Sequence, residues 1–266
     1  MSAAGAFGLA AAVSAVLVTG CWLVSLIKRD ASIIDPLWSL IFVTIAWTVW
    51  GFNDDVGGGS GGGRASLLLV MVTLWGLRLS AHLTVRKWGE PEDFRYQGFR
   101  ARWQPFWLMS LPVVFLLQGA LALVVSLPLQ AVLSDTDPSG LGWLDWVGAV
   151  VWAAGLIFES VGDEQLRRFK ADEANRGKVM DRGLWRYTRH PNYFGDSVVW
   201  WGIWLVAAGG GAWWTVIGPV LMTYLLLRVS GVAMLERRIG DRRPGYDDYR
   251  ARTSAFVPRP PRRAAA

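Results

Sequence analysis

The sequence predicts an all-α membrane protein with seven transmembrane helices, its amino terminus outside the cell and its carboxyl terminus in the cytoplasm. Three observations predict this fold class. The first is composition: of 266 residues, 53% are apolar, only 18% are charged and 17 are tryptophan, which is typical of a polytopic membrane protein. The second is a recurrence of apolar runs of about 20 residues. The third is an alternation of charge between the segments that connect those runs.

Seven apolar runs define the expected helices, because backbone groups in lipid must be satisfied within their own segment. The runs are 7–27, 32–52, 65–85, 107–127, 143–161, 195–209 and 212–234. The first lacks a preceding basic segment and is followed at once by Lys28, Arg29 and another run, so we interpret it as an anchor rather than a signal peptide. We expect one domain over residues 1–258 and a disordered tail over 259–266.

The connecting segments alternate in charge, which orients the helices. The segments after the first, third, fifth and seventh runs are basic, whereas the others hold four aspartates and one basic residue, Arg64. The basic segments and the carboxyl terminus are therefore expected in the cytoplasm. The net charge of +6 indicates topology and contact with membrane lipid, not nucleic acid binding. We expect a monomer.

Two features exclude other kinds of site. Cys21 is the only cysteine, so one chain can form no disulfide and no cysteine-based metal centre, and we expect no metal. The glycine-rich stretch 57–63, GGGSGGG, satisfies the G-x-G-x-x-G pattern formally. It lies between two membrane helices rather than after a strand, so we interpret it as a flexible linker.

Acidic residues mark the end of the fifth run. Glu159 and Asp163 lie four residues apart, so they share one face of a helix. Acids at this depth either face a cavity within the helix bundle or end a helix in ion pairs with Arg167 or Arg168. The spacing leaves both interpretations open.

The stretch RYTRHPNYFGD, residues 186–196, follows a series of basic side chains. A nucleotide with a pyrophosphate needs several such cations. Pro191 prevents a regular helix through His190, so free N–H groups are expected at the start of the next helix. Asn192 can donate and accept at once, as a carboxamide requires. His190 alone is more typical of a capping residue, but the cluster as a whole predicts a ligand site.

The pattern GLWRYTRHPNYFGD at 183–196, with E-x-x-x-D-x-Q at 159–165 and Phe169-Lys170 between them, resembles the membrane steroid 5α-reductase family, especially its bacterial branch. Segments 32–38 and 78–89 and the pair Tyr246 and Tyr249 also fit, so the resemblance covers nearly the whole chain. Membrane methyltransferases acting on isoprenylcysteine or phospholipids share the central pattern.

The resemblance implies that NADPH reduces the carbon–carbon double bond of a conjugated enone in a sterol-like lipid, with hydride added to the β-carbon and a proton to the α-carbon. It implies that Asn192 and Asp196 contact the nicotinamide side, with Asp196 in place of the usual glutamate. Glu236 stands where relatives have a tyrosine. The predicted cofactor-binding residues are all polar or charged: Arg95, Lys170, Arg176, Tyr187, Arg189, His190, Asn192, Asp196, Arg228, Glu236 and Tyr249.

The resemblance also places Asp35 beside the substrate ketone. The tyrosine that relatives use to hold the ketone has no counterpart in the third run, and Tyr96, His82 and Trp38 are candidates by proximity. Hydride addition builds negative charge on the carbonyl oxygen, which a preorganised donor would stabilise. Asp35 could be that donor when neutral, could orient a hydroxyl, or could cap the helix that begins near Pro36.

Other assignments stay open. The segment 86–103, with Arg95, could close over cofactor phosphates or lie on the membrane surface as an interfacial helix. Tyr246 and Tyr249 are expected to cover the cofactor mouth. Besides the reductase, an S-adenosylmethionine-dependent membrane methyltransferase and a non-catalytic binding or transporter-like scaffold are possible. The number of cations favours a phosphate-bearing cofactor.

Overall fold

The computed structural model describes residues 1–53, 62–135, 140–229, 232, 236 and 244–262. Over these residues the chain is helical and forms no β-strand. The predicted linker at 57–63 falls largely outside the described residues. The helices are α1 Ala3–Lys28, α2 Ile34–Gly51, α3 Gly63–Lys87, α4 Phe94–Arg102, α5 Phe106–Val125, α6 Leu127–Leu133, α7 Trp143–Ala171, α8 Pro191–Gly209, α9 Trp213–Val229 and α10 Tyr246–Arg252.

Five of the described helices are long and apolar enough to cross a membrane: α1, Ala31–Gly51, α3, α5 and α7. The sixth and seventh predicted runs correspond to α8 and α9, and α9 is a shorter apolar helix. The structure therefore confirms an all-α chain with several helices compatible with a multi-pass membrane protein. Seven crossings and the orientation of the chain stay predictions.

The chain forms two compact units. Unit 1 comprises Met1–Asp145 and Val206–Gly218, and unit 2 comprises Trp146–Leu205 and Pro219–Ala266.

In unit 1, α2 packs on α1 and α3. The Ser39 hydroxyl of α2 donates to the Gly76 carbonyl of α3 at 2.9 Å, and a Cβ on Gly76 would lie 2.5 Å from Cγ2 of Val43. Ser14 of α1 donates in the same way to the Gly119 carbonyl of α5, at 3.1 Å. Small residues and hydroxyls at crossing points let helix backbones approach closely, as in membrane helix bundles.

A buried ion pair joins the start of α3 to the start of α7. Arg64 donates from Nε to Oδ1 of Asp145 at 2.8 Å and from Nη2 to Oδ2 at 3.0 Å. Both side chains are almost completely buried, and the Gly142 amide also donates to Asp145, at 2.7 Å. Arg64 is the one basic residue of the predicted outer segments. Asp145 therefore satisfies the buried charge of Arg64 within the unit.

In unit 2, α7 and α8 pack almost backbone to backbone. A Cβ on Gly195 would lie 2.4 Å from the Glu159 amide nitrogen, and one on Gly202 would lie 2.5 Å from the Trp152 amide nitrogen. Only glycine fits at such distances. Glycines recur every seven residues on both helices, at Gly148, Gly155, Gly162, Gly195 and Gly202. A period of seven keeps them on the shared face of two helices packed side by side.

The chain after α10 is bound to unit 2 by backbone hydrogen bonds. The Arg259 amide donates to the Tyr187 carbonyl at 3.0 Å, and the Arg262 amide donates to the Arg252 carbonyl at 2.9 Å. These bonds lie within the segment that the sequence predicts to be a disordered tail. They hold residues 259–262 in place, although the prolines and arginines of this segment do not predict such contacts.

Candidate functional site

In unit 1, three predicted site residues meet at the start of α2. The Tyr96 hydroxyl donates to Oδ1 of Asp35 at 2.7 Å. Arg95 donates from Nη2 to Oδ2 of the same carboxylate at 2.5 Å and from Nε to Asp93 at 2.9 Å. Asp35 thus has a phenol on one oxygen and a guanidinium on the other. We call this group of residues the Asp35 cluster.

Hydrogen bonds between two loops bring the cluster together. The Asp93 amide donates to the Ser32 hydroxyl at 3.1 Å, and the Ala31 amide donates to Oε1 of Glu92 at 2.8 Å. These contacts attach the segment before α4 to the turn before α2. As a result, the first turn of α4, which carries Arg95 and Tyr96, lies against Asp35.

Asp30, rather than Asp35, is the capping residue here. Its carboxylate accepts the Ser32 amide at 2.9 Å and the Ser32 hydroxyl, at the start of the short turn Ala31–Ile33. The following helix α2 has no side-chain cap. The capping interpretation of Asp35 is therefore wrong, because its carboxylate is bound by α4 instead.

Burial and the negative charge of Asp35 keep Tyr96 in its protonated form. Burial, and then the negative charge of Asp35, raise the pKa of Tyr96 well above its ordinary value of 10. Burial alone would lower the pKa of Arg95, but Asp35 and other partners raise it overall, so the guanidinium stays charged. The Gln118 amide donates to the Tyr96 oxygen at 3.3 Å. Tyr96 is therefore a neutral phenol with a donor, an acceptor and little solvent around it.

The other two candidates near the ketone lie elsewhere in unit 1. Trp38 donates from its indole nitrogen to the Gln118 carbonyl at 3.3 Å, so it joins α2 to α5. His82 lies in the last turns of α3 and is half-buried. A role for His82 beside Asp35 stays a prediction.

In unit 2, Arg189 is buried and bound to the carboxyl-terminal segment. It donates from Nε to Oε1 of Glu236 at 2.7 Å and from Nη1 to the Arg250 carbonyl at 2.9 Å. Nη1 also donates to the Thr253 carbonyl, and Nη2 lies 2.6 Å from Glu236. With a carboxylate and two carbonyls as partners, Arg189 holds the motif in place rather than presenting its charge to solvent.

Further contacts fix the motif against the same segment. The Arg189 amide donates to the Ser254 carbonyl at 2.9 Å, and the Thr188 hydroxyl donates to the Phe256 carbonyl at 2.7 Å. The Tyr249 hydroxyl donates to the Trp185 carbonyl at 2.5 Å. Tyr249 is 3% exposed, so it supports the chain just before the stretch 186–196 from the interior of unit 2. The expectation that it covers a cofactor mouth does not fit this burial.

His190 and Glu236 lie together beside Arg189. The His190 ring is buried and stacks on Tyr193 with 5.6 Å between ring centroids. Its Nε2 lies 3.4 Å from Oε1 of Glu236, close enough for charge attraction when His190 is protonated. Burial raises the pKa of Glu236, but His190 and Arg189 together lower it below its ordinary value. Glu236 is thus an anion shared by two cationic or potentially cationic groups.

The two acids of the fifth run are buried in unit 2. Glu159 is 2% exposed and Asp163 is 5% exposed. Arg167 and Arg168 instead form ion pairs with Glu164, each at 2.6 Å. The interpretation of Glu159 and Asp163 as acids inside the bundle therefore fits the structure better than that of an ion-paired helix end.

Asn192 and Asp196 occupy the first turns of α8, which begins at Pro191. Asn192 is half-buried and Asp196 is buried. A Cβ on Gly162 of α7 would lie 3.2 Å from the Asn192 amide nitrogen, so the glycine lets α7 approach the amino end of α8. The period-seven glycines in the sequence could have indicated this close approach.

The remaining predicted cofactor residues lie on the surface of unit 2. Their side chains are exposed, as expected for groups that would bind a soluble anion: Lys170, Arg176, Tyr187 and Arg228. Arg186 is not among the predicted cofactor-binding residues, and its side chain is also exposed. Contact of any of these residues with a cofactor stays a prediction.

Comparison with known proteins gives a family and two relatives. Residues 21–253 match the family described as "Protein of unknown function (DUF1295)". The chain is 23% identical to an uncharacterized protein of Schizosaccharomyces pombe over 90% of this chain and 75% of the relative. It is 28% identical to the probable O-methyltransferase ustE of Ustilaginoidea virens over 112 residues, 42% of this chain and 34% of the relative. No solved structure matches the chain.

Proposed function

The chain belongs to the DUF1295 family, and we propose that it is a membrane oxidoreductase that uses NADPH to reduce the double bond of a conjugated enone in a sterol-like lipid. The observation that carries the proposal is the 2.7 Å hydrogen bond between Tyr96 and Asp35. A buried phenol beside an acid suits a carbonyl oxygen that gains negative charge. The resemblance of 183–196 to the steroid 5α-reductases supports the choice of cofactor and reaction.

The membrane arrangement belongs to the same proposal. Five helices meet the length and hydropathy of a membrane span, and α8 and α9 supply two more apolar segments. With the basic segments inside, the amino terminus lies outside the inner membrane of a bacterium and the motif lies on the cytoplasmic side, where NADPH is available.

Tyr96 is the proposed donor to the substrate ketone. When bound, NADPH would supply the hydride for the β-carbon, and a proton taken up from solvent by the α-carbon would complete the reduction. The phenol turns its O–H from Asp35 to the carbonyl oxygen and stabilises the enolate that forms. Asp35 keeps its ion pair with Arg95 at 2.5 Å, so loss of the phenol contact does not leave an unpaired buried anion. Arg95 acts here as a positioning residue.

The donors of unit 2 fit a nucleotide in their chemistry. Arg176 and Arg228 are exposed guanidinium groups of the kind that bind phosphates. Asn192, half-buried at the start of α8, could pair with the carboxamide of the nicotinamide ring. Arg189 and Tyr249 do not belong to this donor set, because their polar atoms are bonded within the unit.

A methyltransferase is the second candidate, favoured by the similarity to a probable O-methyltransferase over 112 residues. Asp35 already accepts a hydrogen bond from the Tyr96 hydroxyl. A substrate hydroxyl in place of the phenol could be activated for methyl transfer by the same carboxylate. This reaction would use S-adenosylmethionine and would not need the phosphate-binding cations.

Ligand-induced stabilisation separates the two candidates. The full chain, purified in detergent, is heated with NADPH, NADH or S-adenosylmethionine. A ligand present at about 100 times its Kd should stabilise the folded chain by about 2.7 kcal/mol. We expect a shift with NADPH, followed by NADPH oxidation when a 3-oxo-Δ4 steroid is added. A shift with S-adenosylmethionine alone would exclude the reductase in favour of the methyltransferase.

A further inference from the structure

Unit 1 contains a polar groove outside the Asp35 cluster, where α1 ends and α5 begins. Its volume is about 280 Å³. Its lining combines two guanidinium groups with hydroxyls and aromatic rings, and includes Ser25, Arg29, Arg100, Phe106, Trp107 and Ser110. A groove with this lining is a candidate for an anion that also has an apolar part.

The groove carries more positive than negative charge. Arg100 lies over the Phe106 ring at 4.3 Å from its centroid and donates to Oε1 of Glu92 at 2.9 Å. Arg29 is exposed, and among the described residues its guanidinium forms no ion pair or hydrogen bond. Arg100 also donates from Nε to Oε2 of Glu92 at 3.1 Å, so Glu92 neutralises Arg100 and the net positive charge of the lining comes from Arg29. The aromatic ring below Arg100 limits its hydration and strengthens its attraction for an anion.

The position of the groove indicates what kind of anion reaches it. It lies at the ends of two helices that can cross a membrane, α1 and α5. Exposed apolar side chains flank it, including Leu23, Ile27 and Trp107. The Trp22 indole donates to the Trp107 carbonyl at 3.0 Å, which joins the two helix ends. Arginine and tryptophan at helix ends are typical of the headgroup level of a bilayer.

We propose that this groove binds the phosphate of an anionic phospholipid between Arg29 and Arg100, with the acyl chains along the exposed side of α1 and Trp107. A guanidinium pair matches the oxygens of a phosphodiester. The lipid site does not depend on the reaction proposed above. The lipid site adjoins the Asp35 cluster, because Arg100 lies four residues after Tyr96 on α4. A bound headgroup would therefore hold α4 against the turn before α2.

The test uses Arg29→Gln, with Lys28→Gln as the matched control. Both residues are exposed neighbours at the end of α1, but only Arg29 lines the groove. The delipidated full chain in neutral detergent is titrated with phosphatidylglycerol or phosphatidylcholine, and Tm is followed. We expect phosphatidylglycerol to raise Tm, and Arg29→Gln to increase the lipid concentration needed by about tenfold, the effect of losing one charge-assisted hydrogen bond.

Several results would overturn the proposal. If Lys28→Gln and Arg29→Gln lost equal affinity for phosphatidylglycerol, the binding would be general charge attraction. If phosphatidylcholine raised Tm as much as phosphatidylglycerol, the groove would bind acyl chains alone. If inorganic phosphate raised Tm as much and abolished the phosphatidylglycerol effect, the groove would bind free phosphate. Arg29→Lys, which keeps the charge, should recover part of the affinity; no recovery in a folded Arg29→Lys protein would also count against a headgroup site.

Discussion

The phenolic oxygen of Tyr96 lies 2.7 Å from Oδ1 of Asp35, although 61 positions separate the two residues. The contact exists because the Asp93 amide donates to the Ser32 hydroxyl and the Ala31 amide donates to the Glu92 carboxylate, which holds α4 against the start of α2. Arg95 from the same turn occupies the other carboxylate oxygen. The pair therefore belongs to a cluster that is supported on several sides, as a catalytic donor requires.

Replacing the phenol tests the proposed donor. Tyr96→Phe should lower turnover in NADPH-dependent enone reduction by about 100-fold or more, since a preorganised donor to the carbonyl oxygen is lost. The fold should lose only about 1 kcal/mol, the usual contribution of one hydrogen bond. Turnover is measured as NADPH oxidation at saturating substrate, and stability as Tm.

Tyr224→Phe is the control for this experiment, because Tyr224 is an exposed tyrosine of α9. It should leave both turnover and Tm unchanged. A Tyr96→Phe protein with normal turnover would remove Tyr96 from the reaction.

Replacing Arg189 tests whether this residue stabilises the fold or binds the cofactor. Arg189→Gln should destabilise unit 2 by about 3–5 kcal/mol, because it leaves Glu236 as a half-buried anion without its main partner. Arg186→Gln, an exposed arginine three residues earlier, should change stability by less than about 0.5 kcal/mol. Denaturation of both variants is compared with that of the unmodified protein. Unchanged stability with weakened NADPH binding would instead make Arg189 a phosphate ligand.

The glycine contacts between α7 and α8 predict a strong effect of one methyl group. Gly202→Ala would place a Cβ 2.5 Å from the Trp152 amide nitrogen, and we expect a loss of about 1–3 kcal/mol from overpacking. Gly20→Ala in α1 is the control, since nothing lies within 4 Å of its Cβ position. That variant should be neutral or more stable by up to about 1 kcal/mol. Equal Tm values for the two variants would contradict the close packing.

Acid should weaken the contact between Glu236 and its cationic neighbours. The pKa of Glu236 is lower in the folded chain than its ordinary value of 4.5, so the folded state binds fewer protons than the unfolded state. The stabilisation by Glu236 is therefore complete above about pH 4.5 and is lost as the pH falls through the folded pKa. Arg189, His190, Arg250 and Tyr246 are the titratable groups around it.

The measurement compares Tm of the unmodified protein and of Glu236→Gln between about pH 7 and pH 3.5. The difference in Tm should narrow on the acid side of pH 4.5, because the glutamate then becomes neutral like glutamine. A difference that stayed constant over this range would show that the charge of Glu236 does not contribute to stability.

The amino-acid sequence indicates some residues of the site but not the contacts that hold them. It identified Asp35 and Tyr96 as candidates, but proximity along the chain could not distinguish Tyr96 from His82. It predicts that Arg189 binds a cofactor, because Arg189 belongs to a series of basic side chains of the kind that bind a pyrophosphate. Its actual partners, Glu236, Arg250 and Thr253, lie 47 to 64 residues away, and nothing in the local pattern reveals them.

The sequence by itself determined the all-α class, the approximate positions of the apolar helices and the start of α8 at Pro191. These properties follow from local physics, since helical hydrogen bonds join residues four apart and apolar length is read directly from the chain. Only the tertiary structure decided which polar groups form hydrogen bonds and ion pairs inside the units and which remain exposed. A buried charge is stable only beside a partner, and that partner comes from wherever the fold brings the chain back.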